Sequence, residues 1–177
     1  MATVLHSTPE TAGDRIMRVV HAGEHGAVQI YRGQRIGARW TAPELAATLA
    51  EFQRHEMRHR AVVAAELVRR GRRRCRSYPL CGIGGWGLGL ATGLLGRGAI
   101  AATTVAVERV VLRHLAAYRE ALAGTDIEAH AALGEILADE EAHHDAFGQA
   151  PRNWIARLID PLVAGTTEAI IWMGMRL

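Results

Sequence analysis

An all-α fold, a helix bundle made of two similar halves, is what this chain predicts, and three observations predict it. Aromatic residues make up only 5%, Pro is scarce, and Ala, Leu, Val and Arg are abundant, which favours helices over strands. Apolar residues recur at alternating steps of three and four, the signature of a helix with one buried stripe. Two stretches carry the same acidic and imidazole side chains at one constant offset, which relates positions 24 to 108, 56 to 140 and 59 to 143. A length of 177 residues suits about one domain with a substantial core.

Five helices follow from the pattern. The first covers about residues 14–38, with Ile16, Val19, Val20, Ala27, Ile30 and Tyr31 as apolar positions. Two glycines in His-Ala-Gly-Glu-His-Gly predict close packing or a local distortion at Glu24. Thr41-Ala-Pro-Glu44 reads as a capping box opening a second helix that runs to about Val68. A crossover, 71–96, joins the halves. The third and fourth helices cover about 99–122 and 126–147, separated by Gly124-Thr125. Residues 153–177 predict a last apolar helix, bent or interrupted near Pro161. Short links within each half (14–70 and 97–147) and one long link between them are what a ferritin-like four-helix bundle requires, here as one domain over 1–177.

Within each half the internal spacing is also the same. The interval from Glu24 to Glu56 equals that from Glu108 to Glu140, and His59 and His143 each follow the second glutamate at i+3. A Glu and a His at i and i+3 share one helix face. Both pairs interrupt apolar stripes: Leu45, Leu49, Phe52, Glu56, His59, Val63, Glu66 in one half and Leu133, Ile136, Glu140, His143, Phe147 in the other. Buried carboxylates are costly unless cations neutralise them. Four carboxylates and two imidazoles therefore predict a di-iron or di-manganese centre rather than a thiolate-rich zinc site. Glu141/His144 offers a rival register, but it breaks the matched interval and lies on a poorer stripe. Asp139 reads equally as an acid that orients a ligating imidazole and as an exposed helical Asp.

All 21 basic residues are arginine, and net charge is only +3. Six arginines fall within 69–76, but no interleaved aromatics or known module accompany them, so nucleic acid is not an expected partner. Cys75 and Cys81 lack CxxC spacing and read as free thiols. The N-terminal segment MATVLHSTPETAGD shows no secretory signal. Residues 77–96 carry no formal charge, and seven of the twenty are Gly. That glycine content disfavours a spanning helix and predicts an apolar crossover lying on a membrane surface. GIGGWG (82–87) lacks the flanking strand–helix pattern of a dinucleotide fingerprint.

The segments DRIMRVVHAGEHGAVQIYRGQ (14–34), HEMRH (55–59), LLGRGAIAATTVAVE (94–108) and DEEAHHD (139–145) resemble the demethoxyubiquinone hydroxylase family, in order and over roughly residues 14–177. The resemblance implies a ferritin-like di-iron monooxygenase of ubiquinone biosynthesis. It makes Glu24 and Glu108 terminal iron ligands, Glu56 and Glu140 bridging ones, and His59 and His143 the completing imidazoles. Two iron ions would use O2 to hydroxylate the ring of a demethoxy, polyprenylated benzoquinol, as a 5-hydroxylase, with NADH as electron donor. The chain departs from the family in having Val20 before HAGE where Asp is usual, His25 where Tyr is usual, and Leu115 after His114 where Tyr is usual.

A polyprenyl tail lives in the bilayer. The uncharged crossover with Trp86, the C-terminal helix with Trp154 and Trp172, and the arginine cluster are the means to meet it, which predicts a peripheral protein on the cytoplasmic side of a bacterial inner membrane. A homo-oligomer or a biosynthetic complex is compatible with the same apolar surfaces. The alternative function is iron storage or peroxide scavenging by a ferritin- or rubrerythrin-like centre; the apolar crossover and the lack of a Cys₄ site speak against it.

Overall fold

Thr11 starts the first helix. Its hydroxyl accepts from the Asp14 N–H at 3.1 Å, and the Asp14 carboxylate accepts from the Thr11 N–H at 2.9 Å, a reciprocal cap. The computed structural model describes residues 9–148 and 154–177. Among them are six α-helices: α1 (Ala12–Thr41), α2 (Ala46–Arg69), α3 (Tyr78–Leu95), α4 (Arg97–Leu122), α5 (Ile127–Gly148) and α6 (Trp154–Gly174). The first eight residues of the segment read for a secretory signal lie outside the described residues, as does Asn153, the expected start of the last helix.

Two expectations about helix ends need correction. Thr41 does not cap the second helix. It is the last residue of α1, and a 3₁₀ turn at Pro43–Leu45 precedes α2 without a side-chain cap. The Thr41 hydroxyl instead donates to the Gly93 carbonyl at 2.5 Å, tying α1 to α3. Nor does Pro161 interrupt the last helix, which is continuous from Trp154 to Gly174.

The larger correction concerns the crossover, which is a full helix. α3 lies along α1, and its glycines are the contact surface. A Cβ at Gly89 would overlap the Ile30 carbonyl; one at Gly33 would sit 2.5 Å from the Trp86 carbonyl oxygen and the Leu90 nitrogen. Gly37 meets Gly93 in the same way, and a Cβ at Gly85 would sit 2.4 Å from the Gly26 carbonyl oxygen. Small residues spaced four apart on both helices let the backbones approach closely, as in tightly packed helix pairs. That packing offsets the helix-propensity cost of the glycines. In the HAGEHG run, the backbone at Gly26 lies against Gly85 of α3, although a Cβ on Gly26 itself would meet Cys81 only at ordinary contact distance. Gly23 faces open space, and α1 is continuous through Glu24 without distortion. Among the described residues no helix is long and apolar enough to cross a membrane.

α1, α2, α4 and α5 form the bundle. α3 packs on α1, and α6 packs on α4. The offset that relates Glu24 to Glu108 carries α1 onto α4 and α2 onto α5, and places α3 near α6, so each half is a three-helix unit. The core has two apolar layers. One is built from Ile16, Met17, Val20, Val63, Leu67, Leu122, Leu133 and Ile136; the other from Tyr31, Leu45, Leu49, Phe52, Ile100 and Phe147. In every bundle helix the repeated acidic residue falls between these layers.

The arginine cluster is largely engaged within the protein. Arg70 places both terminal nitrogens 2.7 Å from the Asp126 carboxylate and pairs with Glu66 and Asp14. Arg69 pairs with Glu66, Arg72 with Asp14, and Arg74 covers the Tyr78 ring. Arg73 and Arg76 are exposed.

Two mutations test this packing. Gly89→Ala drives a methyl into Ile30 and should destabilise by about 1–3 kcal/mol, whereas Gly87→Ala, with open space around it, should stabilise by roughly 0.5–1 kcal/mol; denaturant unfolding reads both. Arg70→Ala strands Asp126 and leaves Glu66 and Asp14 with one arginine each, and should cost about 3 kcal/mol at neutral pH. The Arg70 hydrogen bonds depress Asp126, and the bonds from Arg69 and Arg70 depress Glu66. Stability from depressed carboxyls is present above their unfolded range, near ~4, and is lost as pH falls through the folded values. The Arg70→Ala penalty should therefore shrink toward acid pH, as measured by unfolding at stepped pH.

Candidate metal centre

Each candidate ligand lies mid-helix, where backbone groups are satisfied and the side chain alone is free to act. Glu24, Glu56, His59, Glu108, Glu140 and His143 are all at most 5% exposed. Their ligand atoms form two groups, each within 4.8 Å: Glu24, Glu56, His59, Glu140, and Glu56, Glu108, Glu140, His143. Glu56 and Glu140 belong to both groups. The rival pair is excluded from the centre, since Glu141 is exposed and His144 is half-buried against Asp145.

The imidazoles are oriented alike. His59 points Nδ1 inward, 3.2 Å from Glu140, 3.6 Å from Glu24 and 3.8 Å from Glu56. His143 points Nδ1 inward, 3.2 Å from both Glu56 and Glu140. The outer nitrogens find partners: His59 Nε2 lies 2.8 Å from Asp139, and His143 Nε2 lies 3.0 Å from His55 Nδ1. The reading of Asp139 as an acid beside an imidazole thus matches its position. Two contacts go beyond the sequence reading. Tyr31, read as an apolar position, donates its hydroxyl to Glu108 at 3.0 Å. His55, which helical spacing pairs with Glu51, is the other. Its sequence signal is the repeat itself, because the offset that relates the ligands also carries His55 onto Asp139.

The buried carboxylates and imidazoles strongly perturb one another. Burial pushes Glu24 and Glu108 well above the usual carboxylate range. Burial also opposes ionisation of Glu140, but hydrogen bonds with His143 and His59 override it and draw it down to about 2. Burial would lower both imidazoles; the surrounding carboxylates win, raising His143 to about 9 and His59 further. Both oxygens of Glu56 and Nδ1 of His59 are buried without a hydrogen bond. Orphaned acceptors at the centre of a carboxylate–imidazole shell fit divalent metal ions of the iron or manganese type.

A cavity of about 330 Å³ reaches this centre between α1, α3, α4 and α6. Glu24, Glu56, Glu108 and Glu140 stand on its wall, and the rest is mostly apolar, including Val19, Leu88, Val111 and Leu162. Leu162 on this wall is 70% exposed, so the cavity opens to the surface beside α6; α3 and α6 also expose Leu80, Ile83, Trp86, Leu158 and Trp172.

Comparison with known proteins agrees with this architecture. Residues 11–174 match the family model described as ubiquinone biosynthesis protein COQ7. A 3-demethoxyubiquinol 3-hydroxylase of Methylibium petroleiphilum is 32% identical over 88% of this chain and 76% of its own. The same name is carried by a Rhodospirillum rubrum protein, 30% identical over 96% of this chain and 80% of its own. A mitochondrial NADPH-dependent 3-demethoxyubiquinone 3-hydroxylase of Dictyostelium discoideum is 32% identical over 92% of this chain and 76% of its own. The chain belongs to the COQ7 family of ubiquinone biosynthesis proteins.

Proposed function

We propose that this protein hydroxylates the ring of a demethoxy polyprenyl benzoquinol, using O2 at a di-iron centre, as a step of ubiquinone biosynthesis. The observation that carries the reading is the pair of ligand groups sharing Glu56 and Glu140 on the wall of an apolar cavity. Glu24 and His59 would hold one metal, Glu108 and His143 the other, and Glu56 and Glu140 would bridge them. When bound, the iron pair supplies the redox chemistry that puts one atom of dioxygen into the ring and releases the other as water, with two electrons from the reductant.

The chain's own residues account for the remainder. The cavity's apolar wall excludes water and aligns a flat ring beside the glutamates. The inward Nδ1 atoms are kept as acceptors because Asp139 and His55 take up the outer Nε2 atoms. Relatives' names number the ring position as 3 rather than 5 and print NADPH where NADH was expected; a reduced nicotinamide nucleotide is common to both readings of the donor. Exposed Trp86 on α3, and Trp154 and Trp172 on α6, suit peripheral contact with a bilayer, the inner membrane of a bacterium, from which the tail would enter.

Two experiments test this. Iron-loaded protein given a short-tailed demethoxyquinol, ¹⁸O₂ and either reduced nucleotide should place a single labelled oxygen in the product by mass spectrometry. Glu56→Ala should abolish both iron binding and turnover while helix content by circular dichroism stays. Bound iron without labelled product would refute the assignment. Separately, flotation with anionic vesicles should carry the native protein upward, and replacing Trp86, Trp154 and Trp172 together by Ser should leave most of it at the bottom. Equal flotation of the two would remove the membrane contact from the reading.

A further inference from the structure

The internal repeat makes the metal-facing residues identical in the two halves, yet two pairs of repeat-related neighbours differ in chemistry. His55 and Asp139 are one pair, each immediately before a shared glutamate and each bonded to the imidazole of the opposite half. Tyr31 and Leu115 are the other, related by the same offset. These differences point the same way. Around Glu24 and His59, the imidazole is backed by the Asp139 carboxylate, and the related position at 115 has no hydroxyl to offer a carboxylate. Around Glu108 and His143, the imidazole is backed by a neutral ring, and the Tyr31 hydroxyl draws charge from Glu108 at 3.0 Å. A carboxylate behind an imidazole raises its basicity toward a metal, whereas a donor to a ligating carboxylate lowers its own. Arg58, 2.5 Å from Asp139, takes some of that charge, but its side chain is 54% exposed and screened by solvent.

We infer that the two metal positions are unequal: the one bounded by Glu24 and His59 fills first and holds its ion more tightly than the one bounded by Glu108 and His143. Asp139 and Tyr31 are the positioning residues that set the difference. This rests on the two-metal reading above.

The test is an anaerobic titration of the iron-depleted full chain with ⁵⁷Fe(II), followed by calorimetry and Mössbauer spectroscopy. Two binding steps at least about tenfold apart are expected, with one quadrupole doublet dominating at one equivalent. Asp139→Asn keeps the shape and removes the charge; it should weaken the first step by about tenfold to a hundredfold. Tyr31→Phe removes only the hydroxyl and should strengthen the second step, so both variants narrow the gap from opposite ends. General loosening of the bundle would weaken both steps together and cannot imitate that outcome. A single step for two irons, or a gap unchanged in both variants, overturns the inference and leaves the two-metal reading standing. Failure of the native protein to bind iron overturns both.

Discussion

Four glutamates and two imidazoles confined to one dry layer of a helix bundle is the constraint from which the remaining structure follows. Removing a carboxylate from water costs several kcal/mol unless it is paired. Here the cost recurs four times within a few ångströms, and mutual repulsion adds to it. Without metal, the layer survives because Glu24 and Glu108 are pushed toward the neutral form while both imidazoles are drawn toward the charged one. That arrangement stores positive charge on His59 and His143, where a metal ion would otherwise sit. A metal ion entering there would displace protons rather than open a new hole, and the apolar layers on either side would keep the geometry.

The cavity depends on a second constraint, the near approach of α3 to α1. Ordinary side chains at Gly33, Gly37, Gly85, Gly89 and Gly93 would hold the helices apart and open the centre to solvent. With glycine at the contact, α3 closes one wall while turning Ile83, Trp86 and Leu94 outward. The opposite wall is α6, tied to α4 by Arg109–Asp160 and by Glu168, which accepts from Arg113 and pairs with His114. Both walls come from the third helix of a half, so the pocket is a product of the repeat as much as the ligands are.

The bundle helices, and the burial of six acidic and imidazole side chains in one layer, were legible in the sequence, because period and burial leave separate marks. Glu56 and His59 stand where Leu49, Phe52 and Val63 set an apolar stripe, and the matched spacing in the other half removes the ambiguity with Glu141/His144. What stayed illegible was mostly pairwise geometry. Seven glycines in twenty residues argue against a helix on propensity alone, and only a partner helix with glycines in register reverses that. Thr41 carries every local mark of a cap, yet its hydroxyl finds a carbonyl on a different helix, at Gly93. Tyr31 reads as core because its ring is core; only the placement of α4 shows that its hydroxyl meets Glu108. Much of the arginine cluster, suited by composition to a lipid surface, is engaged by Asp14, Glu66 and Asp126.

A symmetric ligand set can serve an asymmetric reaction only if something outside it breaks the symmetry. The substrate must approach from one side, and the cavity lies on the side of Leu115, which lines it, whereas Tyr31 sits in the packed layer with Phe52. Leu115 is buried in the apolar layer on that wall, so an aromatic ring in its place would need volume from the cavity or from the layer itself. Its counterpart at 31 fills the equivalent volume and ends in a hydroxyl bonded to Glu108. Glu24 and Glu108 both stand on the cavity wall, but only Glu108 has a tyrosine partner, so a ring held there would face two carboxylates of unequal electron richness.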